Sequence, residues 1–168
     1  MGEIKTSIEG AVAYLTEHPD EARYTDTLAT AVLGEDLRAE VRGPGGETIA
    51  TDMPPAVGGR GELPSPGLLL RAAIASCVAT VIGMEAARDG VSLGRVEVEV
   101  DSESDDRGIL GMDPGVPAGP ASMSVRVRIE GDADDAKLRA IAERGAARCP
   151  VCDAVKRAVP VSVEVSAG

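Results

Sequence analysis

Three cysteines, Cys77, Cys149 and Cys152, are the residues of this chain best suited to chemistry. The last two stand in "RCPVCDAVKR", residues 148–157, as a C-x-x-C pair. A structural zinc site needs four ligands. The chain offers three cysteines and one histidine, His18, with no second knuckle at suitable spacing, so no metal is expected. A thioredoxin-type redox pair belongs where a strand runs into a helix N-terminus. Here the motif follows a helical stretch and shortly precedes a strand-like one, with Pro150 straight after the first cysteine. A short turn holding a reactive thiol is the expectation for that context. Two readings remain open beside it: Cys152 as a buried turn residue, and Cys149 as the partner of the distant Cys77. Cys77 is either a small core residue, since free cysteine is among the most buried types, or a working thiol.

The rest of the composition limits what these thiols serve. The chain has 168 residues, enough for one domain with a proper core. It has no Phe or Trp and only Tyr14 and Tyr24 as aromatics, so the core and any substrate pocket are aliphatic. Stacking of bases on aromatic platforms is excluded. Seventeen basic against 28 acidic residues give a formal charge of −11, the wrong sign for a nucleic-acid partner. The N-terminal stretch mixes acids among its apolar residues and does not read as a signal peptide. The apolar run from Gly67 to Met84 is interrupted by Arg71 and reads as a central helix buried within the fold, not a membrane span. A cytoplasmic protein with free thiols is expected, and no membrane partner.

The elements that must position the cysteines follow from periodicity. Residues 4–17 carry Ile4, Ile8, Val12 and Leu15 at helical spacing and predict an amphipathic N-terminal helix. Residues 27–33, 37–42 and 47–53 are strand-like, with a turn at "GED" and another at "GPGG", and predict an antiparallel meander. A Gly- and Pro-rich loop, 54–66, ends in Ser65 as helix cap and Pro66 at the first helical position. The helix runs from there to Asp89, with Gly90 as its left-handed terminator. Its expected buried stripe is Leu70, Ile74, Cys77, Val81 and Met84. Residues 93–104 and 121–131 alternate as strands, 132–147 read as a helix, and "VPVSVEVS", 159–166, as a closing strand. The sum is an α+β fold with antiparallel sheet.

"LPSPGLLLRAAIASC", residues 63–77, resembles the segment that opens the long central helix in the osmotically inducible protein C / organic hydroperoxide resistance (OsmC/Ohr) family. "RCPVCDAVKRAVPVSVEV", residues 148–165, resembles that family's C-terminal signature. The separation of the cysteines, the "DMPPAVGG" loop and the element order match as well, over roughly residues 24–166. The resemblance implies an OsmC-like domain over 24–168 in β-β-β-α-β-β-α-β order, a helical extension over 1–23, and an interlocked homodimer. It implies a thiol peroxidase that reduces organic hydroperoxides without a cofactor. Cys77 falls on the peroxidatic position and Cys149 on the resolving one, with a dithiol reductant reopening their disulfide.

The family also lowers the thiol's pKa with an Arg from the N-terminal strands, held by a Glu at the helix start. Arg38 matches that Arg best, with Arg42 and Arg60 as rivals. Arg71 lies about 240° around the helix from Cys77. Gly67 stands where the Glu is expected, and Glu62 is the nearest substitute. Cys152 is additional to the two-cysteine scheme, either silent or a relay that takes the disulfide from Cys149. The resemblance supports Cys149 and adjacency alone supports Cys152, so resolution by Cys149 alone is the expectation. The alternative function is a relative without efficient peroxidase activity, binding an apolar ligand or acting as a dithiol redox protein through Cys149 and Cys152.

Overall fold

The structure is a computed structural model describing residues 2–168. It is a mixed α+β fold with two antiparallel sheets. The order is α1 (Gly2–Glu17), β1 (Thr30–Leu33), β2 (Ala39–Arg42), β3 (Thr48–Thr51), α2 (Pro66–Asp89), β4 (Leu93–Glu103), α3 (Asp106–Ile109), β5 (Ser122–Gly131), α4 (Asp135–Ala147) and α5 (Pro150–Arg157). The chain divides into two compact units, residues 9–72 and residues 2–8 with 73–168, the division falling inside α2 after Ala72.

The first unit carries the predicted meander, strand order β1-β2-β3, with Val32 opposite Glu40 and Val41 opposite Ile49. The β1–β2 connection is a tight turn through Glu35–Leu37, where Asp36 and Leu37 take positive φ of 53° and 62°. After β3 the loop is built on one buried carboxylate. Asp52 accepts from the backbone N–H groups of Met53, Arg60 and Glu62 at 2.7, 3.2 and 3.1 Å. Burial pulls its pKa up, but these bonds outweigh it and hold the carboxyl below its usual range.

The second unit holds the core. α2 starts where Ser65 Oγ accepts from the Leu68 N–H at 3.2 Å, and ends at Gly90 with φ +70°. Its buried residues are Ile74, Val78, Ile82, Glu85, Ala86 and Ala87. That stripe is turned from the expected one. Met84 is exposed and Val78 and Ile82 lie innermost, because α4 crosses α2 at Ile82. α2 is the one helix among the described residues long and apolar enough to cross a membrane, and 17% of its most apolar window is buried in the single chain. One chain covers a single stripe of it.

β4 and β5 pair in register, Val96 opposite Ile129, Val98 opposite Val127 and Val100 opposite Val125. Leu138 and Ile141 of α4 complete the core with Val91. α4 is capped by Asp134, whose Oδ1 accepts from the Lys137 N–H at 2.8 Å.

The C-terminus departs from expectation twice. Residues 150–157 form a helix instead of a turn, and residues 159–166 form no strand. Val161, Val163 and Val165 are 85%, 79% and 89% exposed. A strand needs a neighbour to satisfy its ladder, and this segment has none in one chain.

Candidate functional site

The three cysteines meet inside the second unit. Cys77, on α2, is half-buried and packs against the core; Cys149 is fully buried; Cys152 is 8% exposed. What joins them is the start of α5. Cys149 is its N-cap, and its Sγ accepts from the Cys152 N–H at 3.4 Å. Pro150 fills the first helical position, where its missing N–H costs nothing. The neighbouring Val151 N–H lowers the proton affinity of both Cys77 and Cys149. A helix N-terminus thus faces the thiols and favours negative charge on them.

The three thiols differ in proton affinity. Burial would raise Cys149, but the Cys152 N–H, hydrogen bonds from the Cys77 and Cys152 thiols, and the Val151 N–H outweigh it and hold Cys149 below the usual thiol value. Burial raises Cys77; the Val151 N–H opposes this, and the hydrogen bond and charge of Cys149 add to it. Burial and the neighbouring Cys149 push Cys152 up to about 11. Of the three, Cys149 is the thiol that gives up its proton most readily. The C-x-x-C pair does open a helix, contrary to the turn expected from the sequence.

Sequence reasoning missed the clamp that fixes this arrangement. Glu85, buried on α2, accepts from Arg148 at 2.7 Å, Arg144 at 3.2 Å and Arg88 at 3.4 Å. Arg144 also reaches Asp89 at 2.6 Å. Burial raises the Glu85 carboxyl, and the hydrogen bonds of Arg148 and Arg144 outweigh it and hold the pKa low. The clamp ties α2 to the last turn of α4 and to Arg148, the residue before Cys149. At the crossing, a Cβ on Gly145 would lie 2.5 Å from Ile82 Cγ1 and 2.8 Å from its Cα. Only glycine permits that approach. The legible signal was a carboxylate placed within an apolar helix.

The expected arginines lie in the first unit. Arg42 pairs with Glu40 at 2.6 Å, and Arg60 forks onto Asp36 Oδ2 at 2.6 and 2.8 Å. Arg38, entering β2, has no carboxylate partner among the described residues. It lines a cavity of about 260 Å³ with Asp36, Asp52, Arg60 and Glu62. Gly67 contributes no side chain at the start of α2, and Glu62, with Glu35, shares the cavity with Arg38.

A helix N-terminus closing over clustered thiols on a long central helix is the arrangement of a thiol-bearing α+β domain. The family model described as OsmC-like protein matches residues 59–164, and the chain belongs to that family. Solved structures agree on the fold. A Psychrobacter arcticus protein described under the osmotic stress and detoxification response is 26% identical, with TM-score 0.63 over 79% of this chain and 90% of that one. The organic hydroperoxide resistance protein OsmC of Legionella pneumophila is 20% identical, with TM-score 0.59 over 80% and 91%. The organic hydroperoxide resistance protein OhrB of Bacillus subtilis is 18% identical, with TM-score 0.53 over 79% and 91%. No curated protein matches the chain.

Proposed function

We propose that the protein is a cysteine-based peroxidase for organic hydroperoxides, with Cys77 as the attacking thiol and Cys149 as the resolving one. One observation carries the reading: Cys77, half-buried on α2, packs against the core that holds the fully buried Cys149, whose pKa its surroundings hold below the usual thiol value. Susceptibility to oxidation needs both thiolate character and access, and the pair divides these between two sulfurs. Cys149 takes the proton of Cys77 as the peroxide arrives. The Cys77 thiolate attacks the O–O bond, becomes a sulfenic acid and expels an alkoxide, which takes the proton back from Cys149 and leaves as alcohol. The Cys149 thiolate then displaces hydroxide from the Cys77 sulfenic acid, forming the disulfide. A dithiol reductant restores both thiols.

Arg38 is the activating cation in this scheme, since Arg42 and Arg60 are already engaged by Glu40 and Asp36. Glu62 is its positioning partner. The working form is a homodimer. The alternating, exposed Val161, Val163 and Val165, the exposed Val32 and Leu33 of β1, and the sparse cover on α2 all support it. The aliphatic composition favours an organic peroxide over hydrogen peroxide.

The test is peroxide consumption with dithiothreitol as reductant. Wild type should consume cumene hydroperoxide faster than hydrogen peroxide, and Cys77→Ser should consume neither. An inert wild type, or a Cys77→Ser protein as active as wild type, overturns the reading.

A further inference from the structure

We propose that Cys152 is a third redox cysteine, so that the oxidised protein rests as a Cys149–Cys152 disulfide with Cys77 returned to a free thiol. This rests on the reading that peroxide first oxidises Cys77, and it reverses the expectation that Cys149 acts alone.

The geometry points there because Cys149 is the middle sulfur of the three. Cys77 approaches it from α2, and Cys152 from the first turn of α5. Cys149 Sγ lies 3.4 Å from the backbone nitrogen of Cys152. Both residues are buried in the same core cluster. Any disulfide between Cys77 and Cys149 therefore forms with the Cys152 backbone against one of its two sulfurs and the Cys152 thiol beside it. The C-x-x-C pair at a helix start also gives the closed ring a short, ordered loop of Pro150 and Val151.

The exchange balances without a further reagent. Cys152 attacks the Cys149 sulfur, the Cys149–Cys152 bond forms, and the Cys77–Cys149 bond breaks. Cys77 leaves as thiolate beside the Val151 N–H and takes up the proton that Cys152 gave up. The number of disulfides is unchanged; only the pairing moves. The consequence is functional. The half-buried Cys77 thiol is available again while the oxidising equivalent waits on the buried pair until a dithiol reductant removes it. The attacking species is the Cys152 thiolate, so the exchange is faster as pH rises.

The experiment is a single turnover with one equivalent of tert-butyl hydroperoxide, acid-quenched over time, alkylated and peptide-mapped, in wild type and Cys152→Ser. In wild type a Cys77–Cys149 link should appear first and give way to Cys149–Cys152 with Cys77 alkylated. Cys152→Ser should stop at Cys77–Cys149. A wild type that keeps the Cys77–Cys149 link with Cys152 alkylated overturns the relay and leaves the peroxidase reading standing. Cys77 unoxidised in both proteins overturns both. A second arm treats Cys77→Ser with diamide, which needs no peroxidase activity. A Cys149–Cys152 disulfide there supports the pairing, and its absence overturns it.

Discussion

Gly145→Ala puts a methyl group where two helices cross, and its sign is opposite to the usual one. In a helix interior, glycine to alanine gains about 1 kcal/mol from backbone entropy and propensity. Here the new Cβ lies 2.5 Å from Ile82 Cγ1, 2.8 Å from its Cα and 2.9 Å from its N. Two of these are backbone atoms and cannot rotate away. Carbon contacts are comfortable at about 3.5–4.0 Å, so α4 must retreat from α2 by roughly 0.7 Å or more. Overpacking costs about 1–3 kcal/mol, and clashes this short with backbone atoms put it at about 2–3 kcal/mol, which leaves a net loss of about 1–2 kcal/mol. For a chain of this length that is a melting point lower by about 2–8 °C. The retreat also slackens the Arg144 and Arg148 contacts to Glu85 and draws Cys149 from Cys77, so disulfide formation after one equivalent of peroxide should slow. Thermal denaturation followed by circular dichroism at pH 7 reads the first effect, and timed alkylation the second. A Gly145→Ala protein that melts at or above the wild-type temperature would refute the close crossing.

Other expectations follow from the same contacts. Glu85→Gln should cost about 1–3 kcal/mol, because three charge-assisted hydrogen bonds to a buried carboxylate are weakened. The folded-state pKa of Glu85 is depressed, so its contribution is fully present above the unfolded carboxyl value of about 4.3 and is lost as pH falls through the folded value. The melting-point gap between wild type and Glu85→Gln should therefore be constant near neutrality and close in acid; a gap that persists unchanged at pH 3 counts against the clamp. If Arg38 activates Cys77 as proposed, Arg38→Ala should slow alkylation of Cys77 near pH 7 several-fold, since a cation beside a thiol favours thiolate. If Arg42→Ala or Arg60→Ala does this and Arg38→Ala does not, the cation is misassigned. Val163→Asp should shift the protein to monomer in size-exclusion chromatography with light scattering, and an unchanged dimer would place the interface elsewhere.

The sequence made most of the scaffold legible because its signals are local. Ser65 and Pro66 mark the start of α2 and Gly90 its end, and the helix spans Pro66–Asp89 as read. The Val alternation in β4 and β5 and the meander β1–β3 are likewise carried by short-range patterning. The start of α5 was missed although it carries the same grammar. Cys149 before Pro150 is a cap before a first-turn proline, with sulfur in place of a hydroxyl. Weighing the motif as redox chemistry, and not as a cap, hid the helix. The strand read at 159–166 has the right alternation but no neighbour within one chain, and pairing is not a local property. The stripe of α2 turned because α4 docks at Ile82 through Gly145, a tertiary fact no periodicity contains. The gathering of Cys77, Cys149 and Cys152 was legible only through resemblance; the lowered pKa of Cys149 was not legible at all, since it depends on which N–H groups and thiols surround the sulfur.

The most direct test of the central claim is to trap the sulfenic acid where it is said to form. In Cys149→Ser/Cys152→Ser no thiol remains to resolve Cys77. Loss of Cys149 removes the base that takes the Cys77 proton, but also the neighbour that raises the proton affinity of Cys77, so the proton passes to solvent and attack continues, more slowly, while resolution is lost. One equivalent of cumene hydroperoxide in the presence of dimedone, followed by peptide mass spectrometry, reads the outcome. The account predicts a dimedone adduct on Cys77, and progression to sulfinic acid on Cys77 when dimedone is withheld and peroxide is in excess. A Cys77 that stays unmodified while the peroxide persists would contradict it.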